Sequence, residues 1–191
     1  MKLTGYNKCQ HCGEIFKDAN HNTAKLNNPS PCCGATNESR HHWPTLDVLI
    51  LIGLVEKQNL DDFKERKVAI VFVATLLEML LEETVTKLAY KHCNSDTAVE
   101  ALLDSYQGRQ KRIALFNKLS GLKMKELLNN NGFTDYLFWW EAISTLRNKI
   151  VHQGFYAQTE IDVNMTIRNL LNNSIDVFAL LNNESNLLQA N

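Results

Sequence analysis

The chain has 191 residues and a formal net charge of −1. That length suits one ordinary domain plus a small extra module, and apolar content is normal for a globular protein. The charge excludes an overall basic field that would draw in nucleic acid, so any RNA contact needs a local patch.

The first fifteen residues lack the apolar stretch of a signal peptide. The apolar runs 48–55 and 68–81 are too short to span a membrane, and Glu78 interrupts the second. A cytoplasmic location without membrane contact is the expectation.

Four of the five cysteines lie before Gly34. In a reducing compartment this points to metal more than to disulfides. Cys9-Gln10-His11-Cys12-Gly13 has the spacing with which two thiolates grip one tetrahedral ion, and its glycine lets the turn close. Pro31-Cys32-Cys33-Gly34 resembles the second knuckle of a zinc ribbon. It departs from that pattern because Ser30 holds the first cysteine position and two cysteines are adjacent. Cys33 reads as the third ligand. The fourth is open among Cys32, His21, His41 and His42.

Residues 1–44 are thus predicted to form a zinc-ribbon-like module. A segment rich in Asn, His and Gly has too little apolar content to fold unaided. Four protein ligands would make the zinc structural, with no open position for chemistry. Cys93 stands apart and reads as inert.

From Thr45 to residue 191 the pattern is helical. Pro44 and Thr45 suit a helix start, and a first helix runs from Leu46 to about Gln58. Asp61 or Asp62 can cap a second that reaches about His92. Its stretch 68–81 is apolar nearly all round and predicts a central, buried element. Thr75, Glu78 and Glu82 form a narrow polar stripe on it. They read as a solvated edge, or Glu78 as a carboxylate that faces a cleft and orients its cations.

A short helix over 96–106 is broken at Gly108. The mixed segment 109–128 is interrupted at Gly121 and carries Arg109, Lys111, Arg112, Lys118, Lys123 and Lys125, with no acidic residue before Glu126. Such a run reads first as a solvated face. It is also the local excess of positive charge able to offset phosphates, which makes Arg109, Lys111 and Arg112 candidate substrate contacts.

Asn129-Asn130-Asn131-Gly132 marks a turn. Thr134 can cap a helix over 135–151, with Trp139, Ile143, Leu146 and Ile150 as its apolar stripe. Glu141, Thr145, Asn148 and His152 form the polar stripe. A last helix is predicted from Thr159, paired with Asp162, to about Asn182. No strand-like alternation is long enough to support a sheet, so the prediction is an all-α bundle.

Leu146-Arg147-Asn148-Lys149-Ile150-Val151-His152-Gln153-Gly154 lies at the end of the helix predicted over 135–151. Arg147 offers a planar fork of donors matched to phosphate oxygens. Asn148 can hold an imidazole or a ribose hydroxyl. His152 lies where helix-end carbonyls favour positive charge. Five residues on a straight helix leave Arg147 and His152 about 140° apart. They reach one phosphate if the helix end loosens or if two copies of the chain pool their residues.

Arg147-Asn148-x-x-x-His152 resembles the R-x(4–6)-H motif of HEPN domains, helical nucleotide-binding bundles in which a polar residue often follows the arginine. The resemblance covers roughly Thr45 to Leu188. It implies a HEPN-like bundle that acts as a homodimer and cuts RNA without a catalytic metal. Arg147, Asn148 and His152 of both protomers would line one composite cleft. Such domains commonly serve as toxins, in antiphage defence or in RNA processing. Partners implied are RNA and a cognate antitoxin or nucleotidyltransferase, with Tyr136 and Tyr156 as candidate modification sites. The competing expectation is a non-catalytic, zinc-bearing adaptor of the same shape.

Overall fold

The computed structural model describes residues 5–18, 27–36, 42–154 and 161–187. Among them it is mostly helical, with seven helices and one small sheet. The sheet corrects the expectation of none. Strands β1 (Tyr6–Lys8), β2 (Ile15–Lys17) and β3 (His42–Trp43) pair antiparallel in the order β2-β1-β3. Two or three residues per strand are too few for a period of two to show in a sequence.

The sheet does not carry its own core. Tyr6, Ile15 and Trp43 are buried within the same apolar cluster as the helices, and the rings of Tyr6 and Trp43 meet edge-on at 6.0 Å.

Helix α1 (Leu46–Glu56) leads into α2 (Phe63–His92), the predicted central element. Asp62 caps α2 by accepting from the backbone N–H of Lys64 and Glu65 at 2.9 and 3.0 Å. Thirty residues give α2 a length of about 45 Å. It packs against α1, α3 (Asp96–Ser105), α4 (Arg109–Ser120), α6 (Tyr136–Gln153) and α7 (Val163–Leu187). The short α5 (Met124–Asn130) follows α4 after Gly121, whose φ of 71° ends that helix.

That surround is why α2 can be apolar nearly all round: Ala69, Ile70, Val73, Leu76, Leu77, Leu80 and Leu88 are all buried. Among the described residues no helix is long and apolar enough to cross a membrane.

Helix α6 differs from its prediction at the start. Asp135 takes the N-cap position, and no side chain bonds there. Trp140, absent from the predicted apolar stripe, is wholly buried and packs edge-on against Tyr136 at 6.2 Å and Phe178 at 5.7 Å. Tyr136 is buried too, and its hydroxyl donates to Ser174 at 3.1 Å. Tyr136 is therefore a core residue, closed to modification in the folded chain; Tyr156 lies outside the described residues. Asp162 accepts from the Met165 N–H at 3.0 Å and caps α7, which begins at Val163; Thr159 lies outside the described residues.

Candidate functional site

Two turns of the head repeat each other. Gly13 N–H donates to Cys9 O at 3.0 Å and Gly34 N–H to Ser30 O at 2.8 Å. Cys9 N–H donates to Glu14 O and Ser30 N–H to Ala35 O, both at 2.8 Å. Both glycines sit at φ 72°, which a side chain would strain. Ser30 thus occupies the place of Cys9 in the second knuckle.

The ligand atoms of Cys9, Cys12, Cys32 and Cys33 all lie within 4.8 Å of one another and could hold a metal ion. The sulfurs of Cys12 and Cys32 are 3.3 Å apart, and those of Cys9 and Cys33 are 3.7 Å apart. Tetrahedral zinc with bonds of ~2.3 Å needs sulfurs about 3.8 Å apart. A disulfide would need ~2.05 Å. Of the fourth-ligand candidates, Cys32 joins the cluster and His42 lies in β3 outside it, while His21 and His41 fall outside the described residues.

The four thiols are electrostatically unequal. Burial pushes the Cys9 thiol up, but hydrogen bonds from the Cys12 backbone, Ser30 and the His11 backbone outweigh it and leave Cys9 at about 6. Burial, then the neighbouring Cys12 and Cys9, holds Cys32 well above the usual thiol range. Four thiolates at this spacing repel one another, and a cation relieves that.

The head is bolted to the bundle. Lys87 of α2 donates to Gly13 O at 3.1 Å and to Asn182 Oδ1 at 2.9 Å. Asn182 Nδ2 also reaches Gly13 O, at 3.1 Å. Asn183 pairs with both backbone groups of Ile15, at 2.9 and 2.6 Å, as a neighbouring strand would. Lys8 meets Glu83 at 2.9 Å. Burial pulls the Lys87 ammonium down to about 8, and Lys91 and Lys8 add to this. Sequence reasoning missed Lys87, Asn182 and Asn183. The cue was an amide pair placed directly after the apolar residues Phe178 and Leu181.

Along α6, Glu141, Thr145, Asn148 and His152 are exposed as one stripe, with Phe138 continuing it. The helix is unbroken through Gln153 and stops at Gly154, at φ 63°. Lys67 of α2 reaches Gly154 O at 3.4 Å, which puts this end of α6 beside the start of α2. The helix end does not loosen before His152, so within one chain Arg147 and His152 keep their separation of about 140°.

Arg147 is half-buried. Its Nη1 donates to Asn148 Oδ1 at 3.1 Å, and its Nε is buried without a partner, as is the Ser144 hydroxyl one turn earlier. Asn148 therefore holds the guanidinium rather than the imidazole.

The remaining candidates sit elsewhere. Arg109, only 9% exposed, is ion-paired with Glu141 and lies over the Trp140 ring at 5.9 Å. Burial lowers its pKa, and Glu78 opposes that. Glu78 therefore acts on Arg109. Glu141, which shares that arginine, is eleven residues from His152, about 16 Å of helix. Arg112 grips Glu82 through Nε at 2.7 Å and Nη2 at 2.8 Å, and donates to Leu103 O at 2.8 Å. Arg109 and Arg112 are thus spent inside the fold, while Lys111 is exposed and open to a ligand.

Arg112→Ala is expected to cost about 2 kcal/mol, since three charge-assisted bonds vanish and Glu82 is stranded half-buried. Urea unfolding measures this. An unchanged midpoint would mean that the Glu82 pairing contributes nothing.

No family profile, curated protein or solved structure matches the chain.

Proposed function

We propose that the chain is a metal-independent endoribonuclease of HEPN type that acts as a homodimer, with a structural zinc in its head. The observation that carries this reading is Arg147. Among the described residues Arg109 and Arg112 each have a carboxylate, whereas Arg147 has only the Asn148 amide. A half-buried guanidinium without a carboxylate is suited to a bound anion, and its fork matches phosphate oxygens. His152 stands exposed five residues on. With α6 regular, a second copy must bring the complementary groups to one phosphate.

In the proposed reaction the imidazole of His152 takes the proton of a ribose 2′-OH. The freed oxygen bonds to the adjacent phosphorus, and the bond to the 5′-oxygen breaks. His152 of the partner subunit gives that oxygen its proton. Arg147 stabilises the charge that builds on the phosphoryl oxygens. The products are a 2′,3′-cyclic phosphate and a 5′-hydroxyl, and DNA resists for lack of the 2′-OH. A toxin or antiphage role, restrained by an antitoxin or a nucleotidyltransferase, fits such an activity.

Purified protein should cut RNA in the presence of EDTA and leave cyclic phosphate ends. Monophosphate ends, or a demand for added Mg²⁺, would overturn the reading. The second reading is a zinc-bearing adaptor that binds RNA or a partner protein without cutting. The internal pairing of Arg109 and Arg112 favours it, because it removes two cations from any RNA surface.

A further inference from the structure

Helix α1 breaks the rule that an all-round apolar helix is a buried one. Apart from Asp47 and Glu56 it consists of apolar residues and Gly53. Val48, Leu49 and Val55 are buried, yet Leu46 is 58% and Ile50 46% exposed. On its free side a groove of about 730 Å³ separates it from α7, with Ile52 and Gly53 on one wall and Leu171 and Ile175 on the other.

Gly53 is the second anomaly. Glycine in a helix interior is less favourable than alanine. A Cβ here would have nothing within 4 Å, so nothing in this chain calls for its absence. Leu46, Ile50, Gly53 and Lys57 follow at steps of four, three and four, which places them on one face.

We propose that this face docks a second copy of the chain, α1 against α1, antiparallel across a twofold axis at the level of Ile52. Asp47 and Lys57 are each five residues from that level, about 7.5 Å along the axis. The symmetry therefore sets Asp47 beside Lys57 of the partner subunit, twice. Ile50 of the partner subunit then lies within one residue, about 1.5 Å, of the level of Gly53, where the missing Cβ lets the backbones close. Each α1 enters the groove between the other subunit's α1 and α7. An isologous contact needs one patch that complements itself, and this face carries apolar bulk, a notch and Lys57, with Asp47 on its flank.

This contact is separate from the twofold that would pair His152, and both together would give a tetramer. Light scattering on the full chain tests it. Gly53→Arg and Ile50→Glu should lower the mass by one step and raise the Kd about tenfold or more. Lys57→Asp should weaken association, and adding Asp47→Lys should restore it, a readout that a folding defect cannot mimic.

A tetramer that falls to a dimer still cutting RNA supports both contacts. A dimer that falls to a monomer supports the α1 contact and removes the paired His152 arrangement. The proposal is overturned by a wild-type monomer at tens of micromolar, or by variants of unchanged mass and helix content. It is equally overturned if those variants lose a foreign protein or a small molecule while their mass as a homo-oligomer stays the same.

Discussion

Replacing His152 by alanine is expected, on the proposed ribonuclease reading, to slow RNA cleavage by about 10³-fold, the range of general acid–base catalysis, and to leave the melting temperature where it was. The two halves of that expectation have separate causes. His152 is exposed near the end of α6, and its loss leaves no buried group without a partner. Alanine also favours the helix, so stability should shift by no more than about 0.5 kcal/mol. The chemical loss follows because no other described residue on the exposed stripe of α6 carries an imidazole.

Arg147→Ala should cost about 10²–10³ in rate, the usual worth of one donor to a developing oxyanion. Arg147→Lys should recover little of this, because an ammonium cannot bridge two phosphoryl oxygens. Mixing the two inactive proteins provides the sharper comparison. If the site is pooled between subunits, a mixed dimer carries a His152 from one chain and an Arg147 from the other, and the part of the rate that needs no second imidazole as acid returns. A site within one chain gives no recovery. Cutting that survives in both variants belongs to another protein in the sample.

The long central helix was legible because its signal is redundant. A capping aspartate, Asp61 or Asp62, and an apolar run agree, and each bears on a local property of the chain. The cysteine pairs were legible for the same reason: Cys9 and Cys12 share one turn, and Ser30 kept the shape of the second turn even without its thiol. What could not be read was long-range pairing. Arg109 and Arg112 look like a basic patch in sequence, since Glu141 and Glu82 are about thirty residues away and only folding brings them within reach. Glu78 looks like a partner for the motif, but its charge acts on Arg109, the arginine that Glu141 also holds. The sheet of the head is illegible in sequence because its strands are two or three residues long, and the partner that completes its outer edge, the side chain of Asn183, is 168 positions away.

Replacing Cys9 or Cys33 by serine is expected to empty the metal site and unfold the head. The melting temperature of the whole chain should fall with it. Strands of two or three residues cannot stand without help. The apolar contribution of the head is a few side chains already shared with the helices, so a metal held by the four cysteines would supply what the sheet lacks. Once the knuckle opens, Gly13 and Ile15 drift from α2 and α7. Four hydrogen bonds go with them: those to Gly13 O from Lys87 and Asn182, and both between Asn183 and Ile15. At about 1 kcal/mol each this is roughly 4 kcal/mol. For a chain of this size that is about 8–16 °C in melting temperature. Elemental analysis should find one ion per chain in the wild type and none in the variants, with Cys93→Ser as the unaffected control. Cys32→Ser is the discriminating case. Cys32 stands within the cluster, so its loss should release the ion as completely as the loss of Cys9. Retention of a full equivalent of metal by that variant would assign the fourth position to another donor and would overturn the four-thiolate site.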